Sequence, residues 1–93
     1  MSKARRVDAN QSEIVEALRA IGASVFLLHA VGCGCPDLLV GFRGVNYLLE
    51  IKCGRHAKLT PAERRFFDSW NGYASIVRTV DEALEEIGAT FIE

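Results

Sequence analysis

The sequence lacks any apolar run close to the roughly 20 residues that a bilayer-spanning helix needs. We therefore expect no membrane segment. The basic stretch from Met1 to Arg6 is followed by a polar helical pattern, which is not typical of a signal peptide. Cysteine is scarce as well, and an odd count of three favours a reducing compartment over a disulfide framework. Together these absences predict a cytoplasmic protein.

Strong positive charge is also missing, because the formal net charge is −1. The charges are nevertheless unevenly distributed. Residues 81–93 contain five acids and no base, so residues 1–80 carry 11 bases against 7 acids. Six of these bases lie between positions 43 and 65, where the acids are Glu50 and Glu63. Such a local excess is found where a phosphate backbone approaches, and equally on a solvated loop and helix face.

Repeats, linkers and low-complexity segments are absent from the sequence. Its 93 residues are 49% hydrophobic and 25% charged, which is an ordinary globular composition. A chain of this length builds one small core with little stability to spare. We expect a single domain over residues 1–93, in which residues 1–9 form a loose basic arm.

A first helix is predicted to begin at Asn10, the N-cap of a capping box that Glu13 completes. Its apolar stripe includes Ile14 and Leu18, which lie one turn apart. The stripe continues as far as Gly22, a residue type that commonly follows a helix C-terminus.

Two further helices carry similar start signals. The second has Thr60 as N-cap, proline at its first position and Glu63 at its third. Its apolar face, expected in the core or in a dimer interface, ends before Gly72 and consists of Phe66, Phe67 and Trp70. The third helix opens with a capping box at 79–82 and runs to residue 88.

The remaining apolar runs are too short for helices and predict strands. Two of them, at 36–42 and 45–52, flank an Arg43-Gly44 turn and so predict a hairpin. A buried strand is predicted at 24–31, a loop at 32–36, a strand at 73–77 and a possible edge strand at Thr90–Ile92. The order α-β-β-β-α-β-α predicts an α/β fold with a mixed sheet flanked by helices.

The predicted hairpin contains three charged residues, and all of them lie at one end. Asp37 opens the first strand, while Glu50 and Lys52 close the second. Antiparallel pairing brings these ends together, and the period of two places Glu50 and Lys52 on one face, with Ile51 directed into the core. Two adjacent carboxylates form a hard, oxygen-rich cation site. A neighbouring lysine can hold or activate a water molecule, or meet a phosphate.

The pattern Pro36-Asp37, twelve intervening residues, then Glu50-Ile51-Lys52 resembles the PD-(D/E)xK nuclease superfamily. The loop at 32–36 and the segment at 59–63 make the chain similar to the small stand-alone VRR-NUC domains common in phages. The resemblance extends from about Asp8 to Ile87. It implies a restriction-endonuclease-like fold, and a location in the cytoplasm of a bacterial cell or a phage-infected host cell.

The resemblance also implies a chemistry. Asp37, Glu50 and the backbone carbonyl of Ile51 would bind Mg²⁺ or Mn²⁺, and Lys52 would orient or deprotonate the attacking water. Because one site cuts one strand, a C2 homodimer that cleaves four-way junctions or other branched or duplex DNA is implied. No nucleotide cofactor is expected. A non-catalytic nucleic-acid-binding module with the same fold is the alternative, and so is a purely structural Asp/Glu/Lys cluster.

The family often takes a further metal-side residue from helix one. Gln11 is favoured because it lies three residues before Ile14, on the stripe that faces the sheet. Glu13 is the alternative, although its capping box already gives it a structural role. Glu63 corresponds to a glutamine that the family uses in helix two, but capping is its favoured role here. The candidates for phosphate contacts are Arg55, Lys58, Arg64 and Arg65.

A zinc site is a separate possibility. Five potential ligands are close enough in sequence to be considered: His29, Cys33, Cys35, Cys53 and His56. The C-x-C spacing at 33–35 is not the usual C-x₂-C of zinc sites. Buried cysteines that act as small hydrophobic residues are the favoured interpretation.

Overall fold

The computed structural model describes residues 9–89. These form three helices and four strands: α1 (Ala9–Ala20), β1 (Ser24–Leu27), β2 (Leu38–Phe42), β3 (Val45–Ile51), α2 (Pro61–Ser69), β4 (Ala74–Val77) and α3 (Val80–Glu86). Most of the predicted arm at 1–9 and the possible strand at Thr90–Ile92 lie outside the described residues. Within 9–89, no helix has the length and apolar character required to cross a membrane.

The strands form one sheet in the order β1-β2-β3-β4. The first three are antiparallel to their neighbours, whereas β4 pairs with β3 in parallel. The segment containing α2 makes the crossover that this parallel pairing requires. The predicted mixed sheet with the order α-β-β-β-α-β is therefore confirmed.

The β2–β3 hairpin has the two-residue turn that the sequence predicts. Phe42 pairs with Val45, so Arg43 and Gly44 are the loop residues. Both have positive φ angles, of 53° and 83°, which is the backbone of a type I′ turn. This turn fixes the register that pairs Leu38 with Leu49, and the register in turn places the two charged strand ends side by side.

Helices α1 and α3 pack against each other and cover one face of the sheet. From α1, Ile14 and Leu18 are fully buried against Leu38, Val40 and Leu49. Each such side chain contributes about 1.5–3 kcal/mol when it is removed from water. The core therefore holds α1 and the hairpin in a fixed relative position, and both contribute residues to the site described below.

The segment predicted as a buried strand at 24–31 is shorter and more exposed than expected. Only four residues form β1, and only Val25 among them is buried. Phe26 is 71% exposed, because β1 is an edge strand with one face covered. The outer edge is partly satisfied by the Arg19 guanidinium, which donates a hydrogen bond to the carbonyl of Val25 at 2.9 Å.

The expectation that the aromatic face of α2 belongs to the core is also wrong. None of the α2 residues is fully buried. Phe66 stacks on Trp70 with ring centroids 5.1 Å apart, and Trp70 remains 46% exposed. The helix ends at Ser69, short of Gly72, because Trp70 adopts an extended conformation as C-cap. An amphipathic pattern identifies an apolar face, but it does not say what that face packs against.

Candidate active site

The predicted convergence of Asp37, Glu50 and Lys52 is present in the structure. Asp37 directly precedes β2 and Lys52 directly follows β3, at the same end of the hairpin. The backbone N–H of Ile51 donates a hydrogen bond of 2.7 Å to Oδ2 of Asp37. The Lys52 ammonium lies 3.5 Å from Oε2 of Glu50. Ile51 is 3% exposed and forms part of the core, as the alternation of the strand predicts.

Glu50 is the only charged residue that is buried within residues 9–89, with 2% exposure. Its Oε1 atom has no hydrogen-bond partner. Burial raises the pKa of Glu50 to about 8, and the negative charges of Asp37 and Glu63 act in the same direction. Burial also raises the pKa of Asp37, against the opposing effect of the Ile51 N–H. The site thus contains more negative charge than its own groups neutralise.

Lys52 makes a closer contact with Glu63 than with Glu50. Its Nζ donates a hydrogen bond of 2.7 Å to Oε1 of Glu63. Burial alone would lower the pKa of Lys52, but the hydrogen bond that it donates to Glu63 and the charges of both glutamates outweigh this effect and raise the pKa. Burial likewise opposes ionisation of Glu63, yet its bonds to Lys52 and Thr60 hold the pKa of Glu63 below its usual value. Both partners are therefore charged at neutral pH.

The same Glu63 completes the predicted capping box of α2. Its Oε1 accepts a hydrogen bond of 2.9 Å from the Thr60 backbone, while its own N–H donates to the Thr60 hydroxyl at 3.2 Å. Capping is therefore confirmed, and the contact with Lys52 adds a second role. The local capping motif makes capping the favoured role of Glu63, and the family resemblance, which places a site glutamine here, is the signal for the long-range contact.

The loop before Asp37 brings α2 to the site. Gly34 has a φ of +77°, and a side chain there would collide with the Ala62 carbonyl and lie 2.8 Å from the Glu63 nitrogen. Only glycine permits this approach. Cys35 follows in the same loop, where burial and then the charges of Glu50 and Asp37 raise the pKa of its thiol.

Helix one reaches the site through a different residue from the one predicted. Asn10 is not an N-cap, because it lies inside α1 and its side chain is directed towards the sheet. Its Nδ2 donates to the carbonyls of Lys52, at 3.4 Å, and Arg78, at 3.2 Å. Gln11 is partly buried and Glu13 is exposed, which matches their predicted faces. Among residues 9–89 neither side chain has a hydrogen bond, so the capping box of α1 does not form.

The four predicted phosphate-contact residues are exposed and free of ion pairs within the described range: Arg55, Lys58, Arg64 and Arg65. Arg65 differs from the other three because it lines an open cleft of about 370 Å³ together with Phe66. Its other walls are Cys33, Ala62 and Ser69. The cleft lies between α2 and the loop at 32–36, called the Gly-Cys loop below. Both of these elements lie against the carboxylate site.

The described cysteines fit neither of the predicted interpretations well. Cys33 and Cys53 are exposed and Cys35 is partly exposed, so they are not buried hydrophobic residues. Within residues 9–89, no three His, Cys, Asp or Glu side chains are grouped so that they could hold a metal ion. A zinc site built from the five candidate residues therefore has no support in the described structure.

In contrast to the zinc candidates, the two carboxylates of Asp37 and Glu50, with a neighbouring backbone carbonyl, suit a divalent cation. Hard cations take carboxylate and carbonyl oxygens as ligands. Glu50 supplies a buried oxygen without a partner, next to a second carboxylate with a raised pKa. Ionising a buried carboxylate of this kind is unfavourable unless a counter-charge is present.

Comparisons with known proteins agree with the resemblance read from the motif. No protein-family model and no curated protein matches the sequence. Among solved structures, a chain described as a VRR_NUC domain superposes with a TM-score of 0.70 and 26% sequence identity. The match covers 87% of this chain and 92% of that chain. Together with the mixed sheet and the charged hairpin end, the structural match supports a VRR-NUC domain with the nuclease fold.

Proposed function

We propose that the chain is a metal-dependent DNA endonuclease that hydrolyses phosphodiester bonds. The observation that carries the proposal is the hairpin end, where Asp37, Glu50 and Lys52 converge and one buried Glu50 oxygen lacks a partner. A purely structural ion-pair cluster accounts for this less well. Effective ion pairing would lower the pKa of Glu50, whereas its pKa is raised. The superposed VRR_NUC domain has the same nuclease fold.

Asp37 and Glu50 would hold the cation, which is Mg²⁺ or Mn²⁺ in this proposal. The N–H of Ile51 is directed towards Asp37. In an extended strand the carbonyl of the same residue is directed to that side too, so the Ile51 carbonyl is the expected third ligand. When bound, the metal supplies positive charge against the charge that develops on the phosphate. Gln11 stays a candidate for a further ligand on α1.

Lys52 would act in its charged form. Although burial opposes it, the contacts with Glu63 and Glu50 raise its pKa, which favours the protonated form before a metal binds. A protonated lysine donates hydrogen bonds. We therefore assign it the orientation of the attacking water and contact with the scissile phosphate, rather than proton removal.

DNA is proposed to approach over α2 and over residues 53–59, the basic loop between β3 and α2. Arg55 and Lys58 precede the helix, and Arg64 and Arg65 lie within it, all four exposed. These contacts would position the backbone without reading sequence. The cleft lined by Arg65 and Phe66 combines a cation with an aromatic ring, the two groups with which proteins commonly hold nucleotides.

Preference for branched DNA and action as a homodimer are the finer parts of the proposal. A chain with one site cuts one strand, so paired cuts across a junction require two copies. Exposed apolar side chains at the C-terminal end of α2 and on the open sheet face are available for such pairing, including Trp70 and Phe26.

The experiment incubates the protein with labelled four-way-junction DNA and linear duplex, with Mg²⁺ or Mn²⁺ or with a chelator. Lys52→Ala is tested in parallel. We expect cleavage that depends on the metal and falls by at least about 100-fold in Lys52→Ala, since this variant removes a charged group at the reacting phosphate.

DNA binding is measured on the same samples by fluorescence anisotropy in the presence of chelator. Binding that Lys52→Ala preserves would show that the variant is folded and that chemistry alone is lost. Binding by the wild type without cleavage in either metal would sink the nuclease proposal, and would favour a non-catalytic nucleic-acid-binding module.

A further inference from the structure

Asn10 connects three separate parts of the chain at the proposed active site. It lies in the first turn of α1, and its side-chain amide donates to two backbone carbonyls in the sheet. One carbonyl belongs to Lys52, just after β3, and the other to Arg78, just after β4. These two strands are parallel neighbours, so Asn10 bridges their carboxyl ends.

The backbone of Lys52 is held on this side by two interactions. Its N–H donates to the carbonyl of Val77 at 3.1 Å, which extends the β3–β4 pairing by one residue. Its carbonyl accepts from Asn10 at 3.4 Å. Beyond Lys52 the chain leaves the sheet for the basic loop, so no further strand pairing supports the residue. Asn10 is thus the side chain that fixes the last peptide group before this loop.

The side-chain end of Lys52 is fixed separately, by Glu63 at 2.7 Å and by Glu50 at 3.5 Å. A side chain anchored at its tip is still poorly positioned if its backbone can rotate. With both ends held, the ammonium has a defined place beside the two carboxylates.

The arrangement has an energetic cost. The Oδ1 atom of Asn10 is buried and has no hydrogen-bond partner. An unsatisfied buried acceptor destabilises a protein, and the two donated bonds offset this cost. An apolar residue at this place on α1 would leave the carbonyls of Lys52 and Arg78 without these donors, so the asparagine matches the two backbone groups that it holds.

We infer that Asn10 is a positioning residue, which fixes the backbone of Lys52 so that its ammonium is aligned for phosphodiester hydrolysis. The inference rests on the proposed nuclease function. Asn10 acts through Lys52 and touches neither substrate nor metal in this assignment. It predicts that removing the amide N–H donors lowers turnover more than it lowers DNA affinity.

The test compares Asn10→Ala and Asn10→Asp with wild type. The aspartate has the same shape, but it replaces both N–H donors with an oxygen that the two carbonyls repel. We expect kcat to fall about 10-fold to 100-fold in both variants, as for a small misplacement of a catalytic group, while KM for DNA changes by less than about 2-fold. Asn10→Gln retains the donor amide and should recover part of the lost kcat.

Ile14→Val is the matched control, because Ile14 lies on the same helix and the variant loses core packing without touching Lys52. It should keep the wild-type kcat. Carbonyl ¹³C chemical shifts of Lys52 and Arg78, measured by NMR, should move in Asn10→Ala and stay in Ile14→Val. Wild-type kcat in a folded Asn10→Ala, or an equal loss in Ile14→Val, would overturn the inference.

The design also separates this inference from the proposed function. A wild type that cleaves no DNA would refute the nuclease activity. The Nζ resonance of Lys52 then decides the role of Asn10. A shifted or broadened resonance in Asn10→Ala supports positioning, and an unchanged one refutes it.

Discussion

At the scale of single residues, the site is defined by an imbalance of charge. Two carboxylates, those of Glu50 and Glu63, contact the Lys52 ammonium, and a third, that of Asp37, accepts a hydrogen bond from the backbone N–H of Ile51. Glu63 and Lys52 form the charged pair, and Glu50 is left buried with a raised pKa. The titration of Glu50 therefore reports on the site even before any DNA is added.

In the absence of divalent cations, we expect stability to fall with rising pH. The folded-state pKa of Glu50 is about 8, against 4.5 for an unperturbed glutamate, so the folded chain binds the extra proton. The stabilisation is complete below about pH 4.5 and is lost as the pH rises through about 8. Asp37 acts in the same direction. Urea denaturation at a series of pH values measures the effect.

Glu50→Gln is the control for this pH dependence. It keeps the shape of the side chain but cannot ionise, so it should be more stable than wild type near pH 8 and should show a flatter profile. Mg²⁺ or Mn²⁺ should restore wild-type stability at that pH and leave the variant largely unaffected. A wild-type profile that is flat from pH 5 to about pH 8 would contradict the assignment of a raised Glu50 pKa.

Arg64 and Arg65 provide a second comparison between single residues. They are adjacent, equally charged and exposed, but only Arg65 lines the cleft beside Phe66. We expect Arg65→Ala to weaken DNA binding by about 1.5 kcal/mol or more, close to tenfold, and Arg64→Ala to weaken it less. Binding titrations over a range of salt concentrations measure both. Equal losses in the two variants would mean that only overall charge matters.

At the scale of elements, the Gly-Cys loop and α2 depend on one another. Gly32 and Gly34 have nearly the same positive φ, of 79° and 77°, but only Gly34 lies against the Ala62 backbone. Both alanine variants lose about 1 kcal/mol or slightly more from the strained φ. Gly34→Ala should lose more, because its methyl group displaces the first turn of α2.

Denaturation measures this difference, and amide hydrogen exchange in α2 locates it. Exchange should accelerate in Gly34→Ala and stay close to wild type in Gly32→Ala. If the two variants behave alike, the close approach between loop and helix does not contribute to the free energy of unfolding.

The sequence predicts some elements well and others poorly, for identifiable reasons. Asp37, Glu50 and Lys52 could be brought together from the sequence because a two-residue turn fixes hairpin register and register fixes neighbours. The exposure of Phe26 could not be predicted, since an apolar run does not say whether its strand is central or at an edge. The hydrogen bonds of Asn10 to the Lys52 and Arg78 carbonyls could not be predicted, because local capping rules give Asn10 the role of N-cap and contain no information on long-range contacts.

At the scale of the whole molecule, one sheet face is covered by α1 and α3, while the other is left with exposed apolar side chains such as Phe26 and Ile76. The outer edge of β1 is partly capped by Arg19. A second copy is therefore expected to pack on a face of this molecule rather than to extend its sheet from β1.

We accordingly expect a dimer with a mass about twice 10.2 kDa in sedimentation or light-scattering experiments. Phe26→Glu and Trp70→Glu place a charge on two alternative apolar surfaces. If one of these surfaces forms the interface, its variant should become monomeric, and paired cleavage of a junction should become nicking of one strand. The other variant is then the control. A wild type that is monomeric at micromolar concentration would contradict the dimer.

The shared acceptor on Glu63 has a consequence for regulation. One oxygen atom accepts from the Thr60 N–H, which begins α2, and from the Lys52 ammonium. Thermodynamic linkage then makes the stability of that helix turn and the placement of the lysine a single equilibrium. In the proposed nuclease, a bound phosphate that draws the ammonium away would weaken this cap, and a loosened helix would free the lysine. Substrate occupancy would thereby be coupled to α2, the helix in which no described residue is buried.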